Sequence, residues 1–322
     1  MSCGKSFRAP HLSQLTAKGM PDFLVRLEGL KHDDMISAGL RRSHYAGEVA
    51  ISINQTPAQF AQLAQLLPVR MIGPIDTINL ILGGPEKRRS FIDWGLFHVK
   101  HQYAEMIKRL NKIIRQKNAA LKGRCSQEEL KQWNKQLAHS SAEIDGLRRQ
   151  YLTEWVEAYQ SIMAAQGLFR DISFSYRSGW EETVEAVDLL DLFGRYALQE
   201  REVGHCLIGP QRADIDILME NGVEAKEFLS RGQQKLLAIS MLLSQGELLH
   251  QSIGRHPLYL VDDFTSELDQ DSQRLLLELL NTGEKQVILT ALDFNYSAIR
   301  ALLSSTPLVI EIAEGKVLCV KP

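Results

Sequence analysis

Four apolar residues, Leu258-Tyr259-Leu260-Val261, run into two adjacent acids, Asp262 and Asp263. An apolar run of this length suits a buried strand, and its C-terminal tip then delivers both carboxylates to one place. Carboxylates delivered there suit a metal ion, and an acid beside a bound phosphate can sit where an attacking water needs orienting or deprotonating. About one helix upstream stands Leu229-Ser230-Arg231-Gly232-Gln233-Gln234-Lys235. There Ser230 can cap a helix, and Gly232 lets a phosphate approach backbone N–H groups at the positive helix end. Downstream, Ser266-Glu267-Leu268-Asp269 makes a tight polar turn before the next helix. Each piece also has a plainer reading, since serine is an ordinary cap and paired aspartates after a strand often form a solvated turn.

A second chemical feature is charge. Lys100, Lys108, Arg109, Lys112, Arg115, Lys117, Lys122 and Arg124 face a single acid, Glu105, between positions 100 and 124. The chain as a whole has a net charge of −2, so contact with nucleic acid has to come from a local patch. Lys108, Arg109, Lys112 and Arg115 are the candidate DNA contacts, against the alternative of a solvated helix face. Arg88 and Arg89 serve either phosphates or nearby acids. The histidines lack metal-ligand spacing, and there is no G-x-S-x-G nucleophile elbow. Cys3, Cys125, Cys206 and Cys319 are scattered without a C-x-x-C pair, as in a reducing compartment. Apolar runs are too short to span a bilayer, and the N-terminus lacks a signal-peptide core, which together read as cytoplasmic.

The elements that must position these residues show in the periodicity. Phe23, Val25 and Leu27 alternate as a strand, as do Val49, Ile51 and Ile53. Pro57 is expected to open a helix carrying Phe60, Leu63, Leu66 and Leu67, which Pro68 closes. Met106, Ile107, Leu110, Ile113, Ile114 and Leu121 share one helical face, and Ser126 with Glu129 forms a capping box that starts a second helix. Leu130, Leu137, Ile144 and Tyr151 recur every seven residues, with Trp133, Leu147 and Trp155 filling the second seam. Two such helices joined by a short loop predict an antiparallel helical arm; two core helices are the alternative. Strands follow at Ile172–Tyr176 and Ile215–Met219, the latter leading into an Asn221-Gly222 turn. From Ser230 the order helix, strand, helix, strand, helix implies a parallel sheet, closed by a C-terminal hairpin around Gly315. The expected organisation is an α/β head over 1–95 and 169–322, interrupted by a helical arm over 96–168.

The segment Leu229–Lys235, the acids Asp262 and Asp263, and Ser266–Asp269 together resemble the signature, Walker B and D-loop of ABC-type P-loop ATPases. Arg231, where that signature usually has glycine, resembles the RecF family in particular. So do Gly83-Gly84-Pro85-Glu86-Lys87-Arg88-Arg89-Ser90-Phe91-Ile92-Asp93, similar to a GGPxxRRxFLD element, and Gly209-Pro210-Gln211-Arg212-Ala213-Asp214, similar to a GPHRDD element with Gln211 for histidine. The departures are local: Ile75 precedes Asp76 where an acid usually stands directly after proline, and Ser272 takes a place often basic. The resemblance implies an ABC-type P-loop NTPase head with an inserted antiparallel arm. It assigns Asp262 to Mg²⁺, Asp263 to catalysis, and Ser230, Arg231, Gly232, Gln233 and Asp269 to ATP. It further implies single-strand gap repair, replication restart, RecA loading and SOS induction. Single-stranded, gapped or linear double-stranded DNA and the RecR and RecO proteins would be the partners, with a homodimer forming on ATP.

A phosphate loop needs G-x-x-x-x-G-K-[ST] between a strand and a helix. Only three residues precede Gly4-Lys5-Ser6, so it is read as a decoy, with Gly4–Arg8 resembling a GRAFR-like stretch beyond that loop. A misplaced start codon and a truncated gene both account for this. The head is then incomplete at the N-terminus, and the chain as written is expected not to hydrolyse ATP. The alternative function is a DNA-binding scaffold without ATPase activity.

Overall fold

A computed structural model describes residues 12–17, 19–31, 34–43, 48–180, 189–264, 268–292, 300, 303 and 306–321. Gly4-Lys5-Ser6, Cys3, Ser266 and Glu267 lie outside these residues, as does most of the stretch after Leu289 where a further helix is expected. The chain opens with strands β1 (Asp22–Lys31), β2 (Asp34–Ser43), β3 (Val49–Ile53) and β4 (Thr56–Pro57). Helix α1 (Phe60–Leu66), strand β5 (Val69–Ile72), and helices α2 (Pro74–Leu82) and α3 (Pro85–Val99) follow. Then come the hairpin helices α4 (Tyr103–Lys122) and α5 (Gln127–Gln166), β6 (Ile172–Arg177), α6 (Leu189–Arg195), α7 (Ala197–Val203) and β7 (Asp214–Met219). The last part holds α8 (Ala225–Phe228), α9 (Arg231–Ile253), β8 (Leu258–Val261), α10 (Gln270–Asn281), β9 (Val287–Leu289), β10 (Val309–Ala313) and β11 (Lys316–Lys321). These form two compact units, Met1–Asp76 with His256–Pro322, and Thr77–Arg255.

In the first unit, β1 to β4 form an antiparallel meander. Ala38, Leu40 and Ile51 from one of its faces pack with Leu63 of α1 into a small core. Pro57 does not open α1 as expected: it pairs with Ser52 in β4, and α1 starts at Phe60 behind Gln59. The Gln59 N–H donates to Gln62 Oε1 at 2.7 Å there, so a glutamine one turn in satisfies the backbone at the helix start. The second sheet is parallel in the order β5-β8-β9, with Ile72 opposite Val261 and Val261 opposite Leu289. Its strands are short, with Ile72, Tyr259 and Val261 buried and Ile288 of β9 exposed. The C-terminal hairpin β10–β11 turns at Gly315, where φ is 73°.

In the second unit, α4 and α5 pack side by side as the heptads imply, with Leu110, Ile113 and Leu121 buried on one helix and Leu130, Leu137 and Ile144 on the other. The far half of α5 is enclosed by α3, α9 and β6. Trp155 is fully buried there, edge-on to Phe91 at 5.1 Å and to Phe174 at 4.7 Å, and its indole N–H donates to Ser244 Oγ at 2.9 Å. α3 and α5 touch at Gly95, where a Cβ would stand 1.9 Å from the Tyr151 hydroxyl, so only glycine fits. The strands β6 and β7 pair antiparallel, with Tyr176 opposite Ile215. Beyond β7, Gly222 adopts φ 79° and the Val223 N–H bonds Asn221 Oδ1, which makes the tight turn expected at Asn221-Gly222. No helix among the described residues is long and apolar enough to cross a membrane.

Candidate nucleotide and nucleic-acid sites

The paired acids stand at the C-terminal tip of β8, as the apolar run requires. The Asp262 N–H continues the ladder to Ile72 O of β5 at 2.8 Å. Asp263 then leaves the strand with φ 52°, in the left-handed region that aspartate tolerates better than most residues. Thr290, directly after β9, holds this turn: its hydroxyl donates to Asp262 Oδ1 at 2.9 Å and accepts the Asp263 N–H at 3.0 Å. The tip of a parallel strand is where open α/β sheets gather ligand groups. The donor set fits Mg²⁺, which takes one or two carboxylates and fills its shell with water and phosphate oxygens. Among the described residues no three His, Cys, Asp or Glu side chains cluster for a metal, so an ion held here would need such outside oxygens.

Ser230 is the N-cap of α9. Its hydroxyl accepts the Gln233 N–H, and Gln233 Oε1 accepts the Ser230 N–H at 3.0 Å. Gln234 Nε2 donates to Lys226 O and Leu229 O, both at 2.8 Å, and fastens the preceding turn to the helix. Ser230, Arg231 and Gln233 are exposed and Gly232 is half-buried. An exposed helix N-terminus with early N–H groups that no helix carbonyl reaches is chemically suited to an anion. Asp269 caps α10 by accepting the Ser272 N–H at 2.8 Å, and that bond holds its carboxyl below the usual carboxylate range.

On α4 the four candidate DNA residues are all exposed but differ in their engagement. Lys108 Nζ lies 2.6 Å from Glu105 Oε1, and Arg109 pairs across to Glu143 of α5. Lys112 and Arg115 make no ion pair among the described residues, which leaves both charges for an outside partner. Lys117 does not belong to the basic surface. It is fully buried, with Nζ 2.7 Å from Glu200 Oε2 and 5.5 Å from the centre of the Phe193 ring. Its sequence position carried the signal, because 117 falls on the inward seam with Leu110, Ile113 and Leu121.

Arg88 and Arg89 are engaged within the protein. Arg88 grips Asp214 with two bonds, at 2.7 and 2.9 Å, and donates to Gly83 O at 2.8 Å. Arg89 donates to Ala213 O at 2.8 Å. Arg148 of α5 was not singled out from sequence, yet it joins the same assembly. It bonds Asp93 at 3.0 and 3.1 Å and Pro210 O at 2.7 Å, while the Tyr103 hydroxyl donates to Asp93 at 2.5 Å. Burial pushes the Tyr103 phenol well above its ordinary range and keeps it a neutral donor. Residues 83–93 and 209–214 therefore lock each other through side chains more than a hundred positions apart. Thr290 was also missed from sequence, its only signal being a hydroxyl directly after the strand next to the acids.

The family described as RecF/RecN/SMC N terminal domain matches residues 28–303. The DNA replication and repair protein RecF of Histophilus somni strain 2336 is 34% identical over 298 residues, covering 90% of this chain and 79% of the relative. That of Shewanella amazonensis is 35% identical over 298 residues, covering 91% and 80%. Two solved structures share the fold. RecF with ATP in the RecFOR pathway has a TM-score of 0.80 at 20% identity, covering 99% of this chain and 85% of that one. RecF with ATPrS has a TM-score of 0.77 at 22% identity, covering 98% and 84%. The α/β architecture with its long helical hairpin is that of a RecF and ABC-type ATPase head, and the chain belongs to the RecF family.

Proposed function

We propose that the chain is a DNA-binding protein of recombinational repair and replication restart whose hold on DNA is governed by ATP. In this reading residues 1–95 and 169–322 form the ATPase head and 96–168 the arm. Asp262 holds Mg²⁺, which when bound neutralises phosphate charge, and Asp263 orients the attacking water. Ser230, Arg231, Gly232 and Gln233 present the head of α9 to ATP held against a second subunit, and Asp269 is likewise assigned to ATP. No G-x-x-x-x-G-K-[ST] phosphate loop occurs among the 322 residues. Lys108, Arg109, Lys112 and Arg115 hold the backbone of single-stranded, gapped or duplex DNA, with RecR and RecO as protein partners acting towards RecA loading and SOS induction.

The observation that carries this reading is the acid pair at the β8 tip, held in a strained turn by a neighbouring hydroxyl. The test is to mix the chain with a full-length RecF relative and DNA, and to measure the mixed dimer by sedimentation. ATP with Mg²⁺ is expected to raise the mixed fraction, and Ser230→Asp in this chain to remove the rise by setting a carboxylate against the phosphates. A mixed fraction indifferent to nucleotide would contradict the ATP role and leave a DNA-binding scaffold.

A further inference from the structure

Thr290 engages every residue from Val261 to Phe264. Its N–H donates to Val261 O at 2.8 Å and its carbonyl accepts the Phe264 N–H at 2.9 Å. Between these, its hydroxyl donates to Asp262 Oδ1 at 2.9 Å and accepts the Asp263 N–H at 3.0 Å. A hydroxyl has one proton to give, so Asp262 Oδ1 is fixed as the acceptor and the carboxylate rotamer is fixed with it. The accepted bond does a different task. Asp263 sits at φ 52°, a conformation that costs a non-glycine residue energy, and anchoring its N–H offsets part of that cost.

We infer that Thr290 is a positioning residue for the acid pair. Through one oxygen atom it orients the Asp262 carboxylate and holds Asp263 in its left-handed turn. This rests on the reading of the pair as a divalent-cation site. Groups that orient metal-binding carboxylates typically change metal affinity by about 10- to 100-fold when removed. Valine has nearly the shape of threonine and keeps its β-branching, but it removes both the acceptor of the Asp263 N–H and the hydroxyl bond to Asp262 Oδ1. Serine keeps the hydroxyl and loses only a methyl group.

The experiment uses the whole chain labelled with ¹⁵N-aspartate and titrated with Mn²⁺ alone, reading paramagnetic broadening of the Asp263 amide. Broadening reports even sparse occupancy, which suits a site with two carboxylates and no phosphate. In the wild type the signal is expected to broaden, and in Asp262→Asn to survive. Thr290→Val should need about tenfold more Mn²⁺ for the same broadening, and Thr290→Ser should stay within about twofold of wild type. Equal titrations for wild type and Thr290→Val, with Asp262→Asn still impaired, would overturn the role of Thr290 alone. Equal weakening in valine and serine would overturn it too, because the methyl rather than the hydroxyl would be at work. Broadening that is absent in the wild type, or unaffected by Asp262→Asn, would sink the metal reading of the pair and this inference with it.

Discussion

An ammonium and a carboxylate that are both fully enclosed, as in Lys117 and Glu200, have exchanged water for each other. Their attraction offsets a desolvation penalty of several kcal/mol per ion only while both are present. Lys117→Ala should therefore cost about 3–5 kcal/mol, because the buried Glu200 carboxyl would lose the ammonium that offsets its desolvation. Lys117→Met with Glu200→Gln should recover most of that loss, since glutamine can still accept the Leu207 N–H that Glu200 Oε1 takes at 3.0 Å. Urea denaturation midpoints of the two variants decide it, and a double variant as weak as the single one would refute the account. At this scale the sequence was partly legible. Asp262, Asp263 and Ser230 announced themselves through spacing, and Lys117 could have been placed by its seam position. Thr290 and Arg148 had no such signal, because their partners come from distant parts of the chain.

Helix α9 shows how one residue can serve an element and a site together. Ser230 and Gln233 close a reciprocal capping box at its head, and most of the helix beyond is buried. Ser230→Ala should lower stability by about 1 kcal/mol through the lost cap. Ser230→Asp caps as well as serine and should leave the thermal midpoint nearly unchanged. If aspartate destabilised the chain as much as alanine, the cap would not explain the serine, and the Ser230→Asp mixing experiment would lose its meaning. Most elements could be read from periodicity, including the heptads of α4 and α5 and the alternation in β1, β3, β6 and β7. The start of α1 could not, since Pro57 signals a helix and the chain uses it in a β-bridge instead. Nor did alternation reveal that β6 pairs with β7, because a period of two states which face is buried and not which strand lies alongside.

For the molecule as a whole, the order of motifs along the chain named the family, while the Arg88–Asp214 ion pair and the Arg89 bond to Ala213 O that tie residues 83–93 to 209–214 became visible only in three dimensions. The parallel pairing of β5 with β8 was equally hidden, since almost two hundred residues separate them and short apolar strands look alike. The central functional claim is that the α4 face binds the DNA backbone by charge. Each phosphate neutralised on duplex DNA contributes about 0.9 to the slope of log affinity against log salt concentration. Lys112 and Arg115, without ion pairs among the described residues, should contribute fully, and Lys108 and Arg109 less because Glu105 and Glu143 compete for them. The decisive measurement is duplex and gapped-DNA affinity across a salt series, for the wild type and for Lys112→Gln with Arg115→Gln. The double variant should bind more weakly at low salt, with a slope shallower by about 2. An unchanged slope and unchanged low-salt affinity would place the DNA surface elsewhere on the protein.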